Sequence, residues 1–366
     1  MAAQWPGTSS ERMIFICEMN PVDAYMKLKF YIYILNSGGR TMKYSVTTLL
    51  LGGALMATAA HAETTIRFAH MNSPTHFVNV GAEAMAAGIN ERTNGEVKLE
   101  VFPSGQLGEN GQIVEQISLG SDLMGQVGSG GIASYVPDFD ILLYPFMYEN
   151  FEQAKKLLTS DLFKDLEQQA EEKANVKVMC YVAFGMRDLY TRDTEVHAPE
   201  DMKGLKMRVQ PITIYTEMVK QVFDASPTPM PWPDVYSALS QGVIDAAEAP
   251  PSALLDQKHY EGAKYLIQTN HIVDIAPVVM SASQFNGLTK EQQAIVSEET
   301  QKGCDMMSEI SLGGYESDIE EVKAHGMTVI SDFDRSAFVA RASGIAESFP
   351  AWSPNLYERA RAILDN

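Results

Sequence analysis

Two arginines stand where a folded chain can grip an anion. Arg208 lies near the C-terminal end of a short alternating run, Leu205–Val209, directly before a helical pattern that starts near Ile212. Ligands of open α/β sheets bind at the carboxyl ends of strands, and a helix N-terminus adds positive potential there. A guanidinium in that place holds a carboxylate through two parallel hydrogen bonds. Arg187 ends another extended run and supplies a second cation. The alternative for either is a surface arginine paired with one of the many acidic residues.

Other candidate chemistry is sparse. The sequence contains no Gly-x-Ser-x-Gly elbow, no GxxxxGK[ST] loop and no HExxH pair. Gly125-Gln-Val-Gly-Ser-Gly-Gly131 lacks both the following lysine and the GxGxxG order of a phosphate cradle. Close approach of its backbone to a ligand or strand is the expectation. His70 and His76 are six residues apart, the wrong spacing for one helix face, so His70 is read as pocket lining and no metal is assigned. Three cysteines without CxxC or Cys/His spacing exclude a zinc site and a disulfide scaffold. Cys180, inside the apolar run 176–182, reads as a buried thiol, with a bond to Cys304 left open. No cofactor is expected.

These residues must be positioned by alternating strands and helices. Strand patterns fall at Thr65–Ala69, Val97–Val101, Val176–Ala183, Leu205–Val209 and Val243–Ala247. Helical patterns fall at Phe77–Ala87, Asn110–Leu119, Phe151–Leu158, Leu162–Lys173, Ile212–Phe223, Asp234–Gln241 and Ser252–Glu261. The alternation predicts an α/β fold with a largely parallel sheet. Ser226–Pro233 carries prolines at alternate positions, which forbids helix and central strand and predicts a stiff loop. Thr289-Lys-Glu-Gln292 is a capping box opening a helix that runs to Ala324. At 1.5 Å per residue it would span about 50 Å, wider than one small domain, so it should cross between two. The glycine pair Gly313-Gly314 within it marks a bend.

The 366 residues suffice for two domains, and a net charge of -19 makes nucleic acid and anionic membranes poor partners. Any anion site must concentrate its positive charge locally. From Met42 a basic start (Lys43) leads into an apolar stretch, Val46–Ala60, and Ala60-His61-Ala62. This reads as a signal peptide over residues 42–62 cleaved before Glu63, with residues 1–41 a non-native upstream extension. The expected product is an exported protein.

Four segments in register carry a family resemblance: Pro103-Ser-Gly-Gln-Leu-Gly108, Asp201-Met-Lys-Gly-Leu-Lys-Met-Arg-Val209, Pro227-Thr-Pro-Met-Pro-Trp-Pro-Asp-Val-Tyr236 and Gly242-Val-Ile-Asp-Ala-Ala-Glu-Ala-Pro250. With them the chain resembles the solute-binding subunits of tripartite ATP-independent periplasmic (TRAP) transporters, the dicarboxylate-binding-protein family. The resemblance implies an α/β two-domain periplasmic-binding-protein clamshell with a long helix crossing both domains. Domain I would comprise residues 63–184 plus 273–312, and domain II 185–272 plus 313–366. It implies a monomer that captures an organic acid by domain closure and delivers it to small and large membrane subunits, without enzymatic turnover. Arg208 matches the family arginine that pairs with the ligand carboxylate, and Arg187 a second arginine of the sialic-acid-type members. Trp232 falls at a ligand-facing aromatic, Asn110 and Ser129 near polar pocket positions, and Glu248 at a family glutamate. Some relatives bind oxo-acids through an ion, which Glu248 would serve. Ala249 departs from the asparagine common in sugar-acid binders and points to a less polar pocket and a less hydroxylated acid. The alternatives are a carboxylate-binding sensor or ABC-type importer module, or a secreted hydrolase or lyase, for which no nucleophile or acid/base pair is found.

Overall fold

The computed structural model describes residues 63–365 and, in the segment before them, the backbone of four strands. Those four are β1 (Ala2–Gln4), β2 (Glu11–Met19), β3 (Leu28–Asn36) and β4 (Thr41–Thr48), an antiparallel sheet in sequential order. The apolar run from Leu28 to Leu35 lies in β3. The cleavage site at Ala60-His61-Ala62 and most of the apolar stretch before it lie outside the described residues.

Residues 63–366 form a separate unit around a nine-stranded sheet. Its spine is two long antiparallel strands, β8 (Val176–Thr191) and β12 (Tyr265–Ser281), paired from Ser281↔Val176 to Tyr265↔Thr191. One flank adds β7 (Leu123–Gln126), β5 (Thr64–Ala69) and β6 (Val97–Phe102), with β7 against the C-terminal half of β12. The other adds β11 (Ala246–Ala249) against Asp188–Thr191 of β8, then β9 (Lys206–Val209) and β10 (Ser226–Pro229). A short β13 (Thr328–Ile330) pairs with the start of β12. Both flanks are parallel, as the alternation predicts, but the centre is antiparallel. The chain passes from flank to flank along two continuous strands instead of crossing over.

The proline-rich run differs from a pure loop. Ser226–Pro229 is the edge strand β10, and alternation explains why it can be: the intervening residues keep their N–H groups. Ser226 and Met230 donate to the carbonyls of Leu205 and Val209 at 2.8 and 3.1 Å, while Pro227 and Pro229 need no partner. The strand expected at Val243–Ala247 lies slightly later, as β11. The helix expected over Ser252–Glu261 is α8 (Pro251–Asp256) followed by one tight turn at His259–Glu261. Lys258, left-handed at φ 55°, separates them.

Helices cover both faces. The first flank carries α1 (Phe77–Arg92), α2 (Asn110–Ser118), the single turn α3 (Gly130–Ala133), α4 (Phe151–Leu158) and α5 (Asp161–Ala174). The second carries α6 (Thr213–Gln221), α7 (Val235–Gln241) and α8. After β12 come α9 (Ala282–Gly287), the 35-residue α10 (Lys290–Ala324), α11 (Arg335–Ala342) and α12 (Leu356–Leu364). The predicted capping box opens α10: Gln292 N–H donates to Thr289 Oγ1 at 3.2 Å, and Thr289 N–H to Gln292 Oε1 at 3.0 Å. The helix continues through Gly313-Gly314 and packs on α1 in one flank and on α8 and β13 in the other. Alternation along the long strands splits the core into two layers. Cys180, Val182, Val278 and Met280 face the α10 side, and Ala183, Ile275 and Val279 the other.

Cys180 corrects the reading as a free thiol. It is buried, but disulfide-bonded to Cys304 of α10 with Cα atoms 6.5 Å apart. An apolar strand run does not disclose which helix residue packs above it. Among the described residues no helix is long and apolar enough to cross a membrane.

Candidate functional site

The carboxyl end of β9 points Arg208 into a cavity of about 370 Å³, between the N-terminal end of α2, the glycine-rich loop after β7, and the ends of β10 and β11. Pockets for small molecules usually run from roughly 300 to 1,000 Å³, so this one suits a compact ligand. Arg187, Arg208, Trp232, Asn110 and Ala249 all line it. The structure thus brings four of the site residues expected from sequence into one cavity.

Arg208 is 2% exposed. Its Nε and Nη2 donate to the Met230 carbonyl at 3.2 and 3.0 Å, and its guanidinium lies 5.2 Å from the centre of the Trp232 ring. Among the described residues no carboxylate forms an ion pair with it. Burial pulls its pKa down to about 10, opposed by the more distant charge of Glu248, so it stays a cation at neutral pH. His259 packs on Trp232 in an edge-to-face arrangement with ring centres 4.7 Å apart, and His259 Nδ1 meets the Tyr190 hydroxyl at 2.8 Å. Burial, reinforced by Arg208, depresses His259 to about 3 and keeps it neutral.

Arg187 has the opposite environment. Its Nε and Nη2 hold both oxygens of Glu248, Nη2 also donates to the Glu248 carbonyl at 2.9 Å, and Nη1 donates to Asp274 Oδ2 at 2.6 Å. Tyr215 of α6 lies under the guanidinium at 5.5 Å. Burial alone would raise the Glu248 carboxyl; the charge of Arg187 and the hydrogen bonds of His271 and Arg187 hold it down at about 2. Arg187 is therefore a satisfied cation, not a second free one.

Three other expected residues lie outside the lining. Glu248 sits behind Arg187, fully buried. His70 is turned from β5 onto α1, with Nε2 at 3.1 Å from Asn79 Oδ1, and burial lowers its pKa. Ser129 is buried with an unpartnered Oγ, while its neighbours Gly128, Gly130 and Gly131 face the cavity. The glycine-rich loop makes a close backbone approach, as expected. A Cβ at Gly130 would meet Ile212 of the opposite flank at 2.6 Å.

Sequence reasoning missed Asp274, Tyr215, Asn72, Gln126 and Gln210, all in the lining. Asn72 follows β5, Gln126 ends β7 and Gln210 follows β9; the rule that strand ends make sites would have found these three. Ala249, the basis for expecting a less polar pocket, lines the cavity. Asn72, Gln126, Gln210, Asn110 and Gln112 supply amides from other elements. Among the described residues no group of three or more His, Cys, Asp or Glu is arranged to hold a metal ion. One contact spans the flanks beside the cavity: Ser73 N–H donates to Asp256 Oδ2 at 3.2 Å, and the Ser73 hydroxyl meets the other oxygen.

The family model for bacterial extracellular solute-binding proteins, family 7 (DctP), matches residues 68–350. The chain is 32% identical over 300 residues to the 2,3-diketo-L-gulonate-binding periplasmic protein of Escherichia coli strain K12, covering 82% of this chain and 90% of that one. A TRAP periplasmic solute-binding protein of Actinobacillus succinogenes 130z, solved with bound L-galactonate, superposes with a TM-score of 0.78 at 32% identity, over 82% of this chain and 99% of that one. One from Ochrobacterium anthropi, with bound L-fuconate, gives 0.77 at 30% identity, over 82% and 99%. The α/β architecture, the cavity at the strand ends and these matches agree: the chain belongs to family 7 of the bacterial extracellular solute-binding proteins, the TRAP solute-binding proteins, and has their two-domain clamshell fold.

Proposed function

We propose that this chain is the periplasmic receptor of a TRAP transporter, capturing a hydroxylated organic acid and handing it unchanged to small and large membrane subunits. The observation that carries the reading is Arg208: a buried guanidinium without a carboxylate partner among the described residues, facing a cavity. Burying a charge is costly unless it is paired, and a ligand carboxylate supplies the missing partner. The ring of amides around it suits hydroxyl groups, and the relatives named above take sugar-derived acids. Residues 63–184 plus 273–312 form one lobe and 185–272 plus 313–366 the other, hinged on β8 and β12. Closure of the lobes strips water from the bound carboxylate. Residues 42–62 direct export and are removed before Glu63, residues 1–41 are not part of the native product, and the receptor acts as a monomer.

Calorimetric titration with L-galactonate tests the reading. Binding with one site per chain, recovery of the acid chemically unchanged, and a smaller radius of gyration in scattering at saturation are expected. Failure of every acid in a thermal-shift panel to raise the melting temperature would overturn it. A ligand at about 100 times its Kd adds roughly 2.7 kcal/mol, a readable shift.

A further inference from the structure

We infer that Asp274 makes this site selective for monocarboxylates, by accepting a hydrogen bond from a ligand hydroxyl and repelling a second carboxylate. The inference rests on the proposed carboxylate site at Arg208 and adds the class of acid it takes.

Charge balance is the first argument. Two arginines line the cavity, but the Nε and Nη2 edge of Arg187 is occupied by Glu248 and its Nη1 by Asp274. Burial raises the Asp274 carboxyl while the charge and hydrogen bond of Arg187 hold it down; with both carboxylates ionised, the buried cluster of Arg187, Glu248 and Asp274 carries one excess negative charge, and Arg208 is the cation left over. One ligand carboxylate satisfies Arg208. A second would lie in a cavity whose remaining charged lining residues, Asp274, Glu109 and Glu115, are all acidic. Like charges within a poorly solvated site repel strongly.

The second argument is the placement of Asp274 itself. Among the described residues the only hydrogen bond of its side chain runs from Arg187 to Oδ2, which leaves Oδ1 to accept from something else. The β8–β12 ladder slips its register between Asp274 and Ile275, which leaves Phe184 of β8 as the extra residue of a bulge beside Asp274 and in the cavity lining. Opposite Asp274 the ladder places Gly185, at φ +130°, so no side chain competes for the space. A hydroxyl donates to a carboxylate; a ligand carboxylate cannot.

Matched pairs sharing one carbon chain test this. Calorimetry of the mature protein at neutral pH compares L-galactonate with galactarate, which carries a carboxylate at both ends, and butyrate with succinate. The monoacid of each bound pair is expected to bind about tenfold or more tightly, the margin a single like-charge contact can give. Asp274→Asn removes the charge and leaves Arg187 paired with Glu248, so it should narrow that ratio at least about fivefold. Glu172→Gln, on the exposed face of α5 and outside the cavity lining, should leave the ratio within about twofold. A diacid that binds wild type as tightly as its monoacid overturns the inference while leaving the receptor reading intact. So does an unchanged ratio in Asp274→Asn, with circular dichroism showing it folded. If no acid of either kind binds, both readings fall together.

Discussion

At the residue scale, two buried arginines on neighbouring strands should respond to deletion in opposite ways. Arg187 is paired on three sides, so Arg187→Ala strands the charges of Glu248 and Asp274 and should cost about 3–5 kcal/mol of stability. Arg208 has only the Met230 carbonyl and the Trp232 ring, so Arg208→Ala removes a desolvated charge and should leave the unliganded melting temperature level or higher. The same change should cost about 3–5 kcal/mol of ligand affinity, turning micromolar binding into millimolar or weaker. Arg208→Lys keeps the charge but loses the fork, and should fall short of wild type by somewhat less. Melting curves and titrations of the three variants decide it; an unliganded Arg208→Ala that melts well below wild type would mean the guanidinium is already paired. Arg208 was legible in the sequence because strand end, helix start and residue type coincide within a few positions. Asp274 was not, because no local pattern in its seventeen-residue strand shows that the side chain turns to Arg187 and the cavity. The engagement of Arg187 was equally hidden: Glu248 lies 61 residues away and Asp274 lies 87.

At the scale of elements, the central pair of strands is held by two devices that local pattern could not reveal. One is the Cys180–Cys304 bond, which ties β8 to α10 across 124 residues of sequence. Closing so long a loop in the unfolded chain should contribute about 2–4 kcal/mol, and such a bond persists in oxidising compartments. Cys180→Ser with Cys304→Ser should therefore lower the denaturation midpoint with little change in affinity. A melting temperature that is the same in oxidised and reduced wild type would show that the bond contributes nothing. The other is Asp188, buried in β8, which accepts from Asn270 N–H at 2.9 Å and from the Tyr315 hydroxyl of α10 at 2.8 Å. Burial pushes its carboxyl up to about 7 against these two hydrogen bonds. The folded state thus holds a proton that the unfolded state releases near 3.8. Stability from Asp188 is full below that value and is lost as pH rises through about 7. Buried histidines with depressed values, His76 at about 4 and His259 at about 3, act in the opposite sense over the same range. The readout is therefore a difference: the melting temperature of Asp188→Asn relative to wild type should rise steadily from pH 4 to pH 7. A flat difference would mean that Asp188 is ionised throughout. The long helix α10 was readable from its capping box and periodicity, limits included. The antiparallel centre was not, since β-strand alternation carries no information about partner direction.

At the scale of the molecule, a chain with a net charge of -19 is asked to collect an anion. The two demands separate by distance. Beyond a few water layers the ligand meets the summed acidic field, which repels it. Inside the cavity it meets Arg208, whose charge is unopposed there by any ion-paired carboxylate among the described residues. Salt acts on the first and not on the second, because a Debye length of about 10 Å at 0.1 M screens the outer field while a buried contact excludes the ions. The association rate should consequently rise with ionic strength, by about two- to tenfold between low and physiological salt. The dissociation rate should hardly move. A site on a basic surface, steered toward anions, would show the reverse dependence. Stopped-flow fluorescence can read both rates through Trp232, which lines the cavity, with Trp232→Phe showing how much signal comes from the other tryptophans. An association rate that falls as salt is added would mean that local positive potential reaches out past the rim and outweighs the acidic surface. A dissociation rate that climbs with salt would mean that the bound carboxylate is still in contact with solvent ions, and the lobes do not close over it.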